Sequence, residues 1–421
     1  MARFLFTTWE GGGHVQPMML AAQGLRARGH DVVVLSDACN ASDAAALDLP
    51  FQAWTQAPSR PDKTAASDLL KDWEADNPME SVGRLCDRII AGPAALYARD
   101  VLAALETFPA DVVVTQELLF GSMMAAEKTG APLALFTANV WPFPTLPGLP
   151  PFGAGMAPAT DDQEIMLHQM VGQTTRTIFQ MGLPVLNLAR EELGLAPLAD
   201  LFDQISVAKA ILLGASQAFD FAPEPLAEPF AYVGPYVADP VDVAAWTSPW
   251  PADDARPLVL VTSSSLYEAQ EGLLQGVIAA LGALPVRALV TLGPALDVAD
   301  FPAPDNVQVV SSAPHGALFA QAALVVTHGG HGSTIRPLVA GLPLLVLPGL
   351  RDQRDNAVRV VSRGAGLMLE RSAAPEAIAE AVSRLLDEPA FTAAALSLGA
   401  AIAADVEARS AEAALERLAS L

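Results

Sequence analysis

Eight consecutive residues, Thr327-His328-Gly329-Gly330-His331-Gly332-Ser333-Thr334, gather the phosphate-compatible groups of this chain most densely. The apolar run Leu324 to Thr327 precedes them and helical spacing begins at Ser333, so the segment reads as the turn from a strand into a helix. Glycines let backbone approach a ligand, a helix start offers N–H groups with no intrahelical acceptor, and His328, Ser333 and Thr334 add side-chain donors. In physical terms this is a cradle for a diphosphate; the competing reading is a bare glycine-rich turn. Asp352-Gln353 follow after an apolar strand and the break Pro348-Gly349, and an adjacent carboxylate and amide supply both the acceptors and the donors that sugar hydroxyls need. Ser312-Ala313-Pro314-His315 opens another helix, and Ser263-Ser264-Ser265 closes the first strand of this half. All four stand at strand C-termini, where open α/β sheets bind ligands. At the other end of the chain, His14 follows the loop Gly11-Gly12-Gly13.

The elements that must position these groups are runs of strand and helix in alternation. Phe4-Leu5-Phe6, the glycine loop, a helix with Met18, Ala22 and Leu25 on one face, and Val32 to Leu35 form a βαβ unit, which belongs to a parallel sheet covered on both faces. The pattern returns at Asp111 to Val114, a helix over Leu119 to Glu127, and Leu133 to Phe136. From Phe221 to Pro257 eight prolines interrupt the periodicity, as in a linker. Strands then resume at Leu258 to Val261, Arg287 to Thr291, Val307 to Val310, Leu324 to Thr327 and Leu344 to Leu347. Two α/β domains are expected in 421 residues, because single cores stop growing near 250–300 residues. The boundaries read as 1–222, a linker over 223–257, a second domain over 258–400, and a C-terminal helix over 401–421. That helix carries Ala411, Leu415 and Leu418 on one stripe and packs back toward the N-terminal domain.

The formal charge of −23 repels a phosphate backbone and an anionic membrane surface, so nucleic acid is not an expected partner. Cys39 and Cys86 form no disulfide framework or metal spacing and read as free thiols in a reducing cytoplasm. The N-terminus reads as a strand and loop rather than an export signal, and the apolar run Leu338 to Leu350 is too short to span a membrane. The absence of any Asp-x-Asp predicts metal-independent chemistry.

The run Ser312 to Gln353 resembles the donor-binding signature of the family 1 glycosyltransferases, which include plant secondary-metabolite and bacterial antibiotic enzymes. Gly13-His14, Pro17 and Arg28-Gly29-His30 match the N-terminal pattern of that family, and Gly234-Pro235 match it before the linker. The likeness is dense in the first 35 residues and from 255 to 370, and absent from 50–100 and 139–220. It implies the GT-B fold, two Rossmann-like βα domains facing each other across a cleft, and inverting transfer of a sugar from a nucleotide diphosphate, a co-substrate, with no cofactor. The resemblance assigns His328 to the α-phosphate, and Gly330, Gly332, Ser333 and Thr334 to the diphosphate region. Asp352 and Gln353 take the sugar hydroxyls, Ser265 the phosphate side of the first strand, and Ala313 the base through its backbone. His14 falls at the catalytic base, and a neutral imidazole suits removal of the acceptor hydroxyl proton. His30 and His331 read as structural.

Three departures stand out. The carboxylate that orients the histidine in the family aligns with Gln116, and the adjacent Glu117 is the alternative partner. Ser312 stands where plant members stack a Trp on the base. Arg336 stands where uridine-dependent members hold ribose hydroxyls with a Glu, which favours a dTDP-sugar such as dTDP-rhamnose over UDP-glucose. Trp141, Phe143 and Phe179, in a stretch that faces the cleft in this fold, suit a flat or macrocyclic acceptor such as a flavonoid or a macrolide-like natural product. A nucleotide-sugar epimerase of the same fold and a non-catalytic auxiliary protein are the competing readings; the first leaves Gly13-His14 and Pro17 unexplained, the second the intact His14, His328, Asp352 and Gln353. A nicotinamide oxidoreductase lacks its G-x-G-x-x-G spacing here.

Overall fold

A computed structural model of the chain describes residues 1–236, 246–264, 266–293 and 295–420. Its strands form two sheets. The first contains β1 (Arg3–Thr7), β2 (Asp31–Ser36), β3 (Phe51–Ala53), β4 (Val112–Gln116), β5 (Leu133–Thr137), β6 (Ala210–Leu213) and β7 (Phe230–Tyr232), in the order 3-2-1-4-5-6-7. The second contains β8 (Leu258–Thr262), β9 (Arg287–Thr291), β10 (Val307–Val310), β11 (Ala322–Thr327), β12 (Leu344–Val346) and β13 (Gly366–Met368), in the order 10-9-8-11-12-13. Every pairing is parallel. Strands covered on both faces need apolar residues on both, so Val112-Val113-Val114 and Leu133-Ala134-Leu135-Phe136 are uniformly buried rather than alternating.

Both sheets reverse their strand order at a single place, between β1 and β4 in the first and between β8 and β11 in the second. The crevice beyond the strand C-termini at such a reversal is where open α/β sheets bind ligands. The loop carrying His14 leaves β1, Glu117 follows β4, the serine run leaves β8 and the glycine-rich loop leaves β11. Topology alone therefore places all four at the two crevices.

The segment expected as a linker belongs to the two domains at both its ends, and its stretch 237–245 lies outside the described residues. Phe230–Tyr232 joins the edge of the first sheet directly after Pro229, because an edge strand tolerates a proline beside it. Val233 is buried in the N-terminal core, and Tyr236 packs its ring on Phe136. On the other side Trp246 and Trp250 lie on the C-terminal core, where the Trp250 indole donates to the Asp305 carbonyl. The expected boundary at 400 falls inside the helix Pro389–Ala408, and the chain turns instead at Arg409-Ser410, where Ser410 caps the helix Ala411–Leu418 through Ala413 N–H.

Pro389–Leu418 is long and apolar enough to cross a membrane by length and composition. Six of its apolar side chains enter the cores, Ala395, Leu398 and Ile402 the C-terminal one and Ala411, Leu415 and Leu418 the N-terminal one beside Met18, Ala22 and Leu25, while Leu396 is exposed. Cys39 and Cys86 are free thiols.

Leu415 is 1% exposed, and truncating a fully buried leucine costs about 2–5 kcal/mol. Leu415→Ala is expected to lower the stability of the N-terminal domain by that amount in urea unfolding followed by tryptophan fluorescence. A change under about 0.5 kcal/mol, typical of a surface position, would mean that the last helix is not seated on this core.

Candidate active site

The His14 loop rests on a buried charged scaffold. The Asp37 carboxylate accepts from Glu10 N–H (2.7 Å) and Arg60 N–H (2.7 Å), while Glu10 Oε1 accepts from Gly12 N–H at 2.9 Å. Arg60, 1% exposed, pairs with Asp68 at 3.4 Å. Burial pushes the Glu10 carboxyl above its ordinary range and Asp37 up to about 6. Gly12 takes φ +88°, and a Cβ on Gly11 would stand 2.6 Å from the Trp9 ring, so these two positions are closed to larger residues.

At its end, His14 Nε2 lies 3.6 Å from Glu117 Oε1. Glu117 comes just after β4 ends, where strand alternation no longer dictates direction, and its carboxyl turns toward the imidazole. Gln116 does not: its amide oxygen accepts from Thr8 Oγ1 (2.8 Å) and Trp9 N–H (3.3 Å), which ties it to the end of β1. Burial depresses the His14 pKa well below the ordinary imidazole range and pushes Glu117 up to about 8. Burial thus favours the neutral pair, a protonated Glu117 carboxyl beside an uncharged imidazole. An ionised carboxylate at this distance would stabilise a charged imidazole by on the order of 4 kcal/mol at an effective dielectric of 20.

Across the cleft, the diphosphate-like loop is packed tightly. Gly329 has φ +93°, and a Cβ there would meet Val346 at 2.8 Å; on Gly330 it would meet His328 Nε2 at 2.5 Å. His328 Nδ1 lies 3.4 Å from the Thr262 carbonyl at the end of β8. Ser333 Oγ donates to the Gly330 carbonyl (2.9 Å) and accepts from Thr327 Oγ1 (2.9 Å), and the Thr334 hydroxyl is buried. Of the hydroxyls expected to meet a diphosphate, that of Thr334 is thus buried and that of half-buried Ser333 is engaged within the loop. What the loop presents is backbone, the first turn of the helix His331–Val339, whose leading N–H groups have no intrahelical acceptors. Beside Gly332 a Cβ would meet nothing within 4 Å.

The expected sugar pair divides. The Asp352 carboxylate accepts from Asn356 Nδ2 at 2.8 Å and acts electrostatically on both His14 and Glu117. Gln353 is 3% exposed and committed within its own domain: Oε1 accepts from Gly349 N–H (2.7 Å) and Leu350 N–H (3.2 Å), and Nε2 donates to Glu268 Oε1 (2.7 Å). It holds the Pro348-Gly349 turn rather than offering hydroxyl contacts. Ser265 lies outside the described residues. Ala313 is buried in the C-terminal core. Nearby, His315 Nε2 is 3.0 Å from Thr291 Oγ1, and the His315 ring and the Arg336 guanidinium both lie against Phe319.

Residues 276–418 match a family described as Erythromycin biosynthesis protein CIII-like, C-terminal domain. Over 404 residues the chain is 31% identical to 4'-demethylrebeccamycin synthase of Lentzea aerocolonigenes, covering 93% of each. The chain is a family 1 glycosyltransferase of the GT-B fold. It is also 38% identical over 167 residues to aklavinone 7-beta-L-rhodosaminyltransferase of Streptomyces galilaeus, 39% of this chain and 34% of that one. Its fold matches that of the glycosyltransferase VinC, solved in complex with dTDP, at a TM-score of 0.67 and 22% identity over 99% of both chains.

The aromatics expected on the acceptor side of this glycosyltransferase belong mainly to its core. Trp141, Phe143 and Phe179 are 2%, 3% and 5% exposed; Phe143 meets both of the others edge-on, and the three make further edge or tilted contacts with Phe120, Phe202 and Phe230, all at 5.2–5.9 Å. Large rings satisfy each other's surfaces before they line a site. Trp141 and Phe143 still show an edge to a cleft of about 190 Å³, shared with Leu146, Leu149, Phe152 and His168; Phe179 does not. Three site residues lay beyond sequence reasoning. Glu268 holds Gln353 and Arg371, Asp355 holds the 150–156 loop, and Arg351 spans the cleft, donating to the Gly11 carbonyl (2.8 Å) and Asp72 (2.6 Å).

For the glycosyltransferase without ligand, carboxyl NMR is expected to show Glu117 titrating near pH 8, with the His14 ring remaining neutral down through pH 6. A Glu117 midpoint in the ordinary carboxylate range would refute the neutral pair.

Proposed function

We propose that the enzyme transfers a sugar from a dTDP-linked donor, such as dTDP-rhamnose, to a hydroxyl of a small, largely apolar acceptor with inversion, and that His14 is the base. The observation that carries this reading is the buried His14–Glu117 contact at the end of β1 and β4, with Asp352 of the other domain acting on both. In the step, the acceptor oxygen bonds to the anomeric carbon as its proton passes to His14, and the bond from that carbon to the β-phosphate oxygen breaks. As His14 becomes charged, a proton can leave Glu117 to solvent and the resulting carboxylate stabilises the imidazolium. The departing diphosphate charge falls to His328 and the backbone N–H groups at the start of the helix His331–Val339. Asp352 takes the sugar hydroxyls.

The dTDP preference rests on Arg336. A carboxylate there would accept from both ribose hydroxyls, whereas a guanidinium only donates. Deoxythymidine lacks the 2'-hydroxyl and loses less by the exchange. The complex of VinC with dTDP supports the same direction. The cleft bordered by Trp141, Phe143, Leu146, Leu149 and Phe152 supports an apolar acceptor of flavonoid or macrolide-like character.

His14→Ala is expected to lower kcat for an alcohol acceptor by about 10²–10⁴-fold while dTDP affinity by calorimetry stays at the wild-type value; full turnover with alcohols would remove His14 from the base role. Because Glu117 titrates upward of neutrality, kcat is expected to rise as pH increases through about 8 in the wild type and to be flat over that interval in Glu117→Gln. A rise that persists in the variant would assign it to another group. In side-by-side kcat/KM measurements with one sugar on both nucleotides, dTDP is expected to be preferred over UDP, with activity unaffected by a chelator. A preference for the uridine form would overturn the donor assignment, and restoration of a chelated enzyme by a divalent ion would overturn metal independence.

A further inference from the structure

The helix Gln353–Ser362 of the donor domain meets the N-terminal domain through residues one turn apart. Arg359 pairs with Asp220 at 2.7 Å, and Arg363 donates to the Ala218 and Asp220 carbonyls at 2.7 Å each. One turn before Arg359, Asp355 faces the loop 150–156. Its carboxylate accepts from Gly153 N–H at 2.6 Å and from Gly155 N–H at 2.9 Å, and the residue is 3% exposed. Both glycines have left-handed φ, +79° and +62°, and a Cβ on Gly155 would stand 2.9 Å from that of Arg354. The loop backbone thus lies directly against the helix start. Pro150, Pro151 and Phe152 of the same loop line the apolar cleft.

We propose that Asp355 is a positioning residue for the acceptor, holding the rim of the acceptor cleft to the same helix start that presents Asp352, so that the acceptor site is complete only while the two domains are closed. This rests on the reading of that cleft as the acceptor site. A carboxylate two backbone N–H groups deep has no role in holding the donor, whose contacts lie on Asp352 and the 328–334 loop. Its bonds reach only the other domain. Burial pushes the Asp355 carboxyl up to about 6, so the twofold acceptor is intact above that pH and is weakened as pH falls through it, when one oxygen becomes a donor. The charged groups acting on Asp355 are Arg359 on its own helix and Asp352 at the start of that helix, and Arg359 is itself paired with Asp220; the Arg354 guanidinium turns away to Glu370. The 150–156 loop contributes no titratable side chain.

The experiment uses the full chain with a dTDP-sugar donor and quercetin as acceptor, and follows released dTDP with and without quercetin. Asp355→Asn keeps one acceptor and loses the other; it is expected to raise the quercetin KM about tenfold or more, as loss of one charge-assisted hydrogen bond does, with kcat and donor KM close to wild type and the fold retained by circular dichroism. The wild-type quercetin KM is expected to climb as pH falls from 7 to 5, and that climb to vanish in the variant. Gly155→Ala displaces the rim from the loop side and is expected to raise the quercetin KM while keeping the pH dependence. If both variants keep the quercetin KM within twofold of a wild type that transfers normally, the inference alone is overturned. A wild type that releases no dTDP in either condition overturns the glycosyl-transfer reading of the donor, and this inference with it.

Discussion

The ion pair between Asp220 and Arg359 sets the geometry on which the rest of the molecule depends. Its side chains are 0% and 4% exposed, and Asp220 also accepts from Tyr232 Oη at 2.8 Å, so both charges are satisfied where no water reaches them. Phe221 lies under the guanidinium groups of Arg359 and Arg363 at 4.5 and 4.9 Å. Such a pair adds little net stability over apolar packing, yet removing one member leaves an uncompensated buried charge at a cost of about 3–5 kcal/mol. It acts here as a register mark. It joins the stretch after β6 to the helix that begins at Asp352, and the placement of that carboxylate opposite His14 follows from it.

Closure of the two domains matters because the chemistry depends on dehydration. His14 and Glu117 owe their altered proton affinities first to burial, and Asp352 of the other domain acts on both. Arg351 shows how the surfaces are kept together: with φ +58°, its backbone turns so that the guanidinium crosses to Gly11 and Asp72. The same closure that excludes water strengthens each electrostatic interaction inside. It also leaves fixed backbone dipoles, rather than solvent, around the departing diphosphate.

What the sequence made legible follows from how each feature is encoded. Fully buried parallel strands must be runs such as Val112-Val113-Val114, and a glycine-rich exit from a strand is a local pattern, so β1, β2, β4, β5, β8, β9, β10, β11 and β12 and the loops after them could be read directly. β7 was hidden by the prolines around it, and β6 lay in a stretch without a recognised pattern. The inward turn of Gln353 depends on Glu268, 85 residues earlier, and Arg351 reaches a carbonyl 340 residues away; neither partner leaves a periodic trace. Trp141 and Phe179 illustrate the remaining gap. Aromatic content indicates that large surfaces need covering, but only the packing decides whether a ring or a ligand covers them.

The chain lies on the N-terminal core at Tyr236, on the C-terminal core at Trp246, and on the N-terminal core again after Arg409-Ser410, where the final helix returns. Two fixed points define a line, and rigid bodies tied at two points can turn about that line but cannot slide past each other. The Ala411–Leu418 helix therefore does more than bury three apolar side chains. It converts a single tether, which would permit any relative motion, into a door with two hinges, and it holds each half at a high effective concentration of the other.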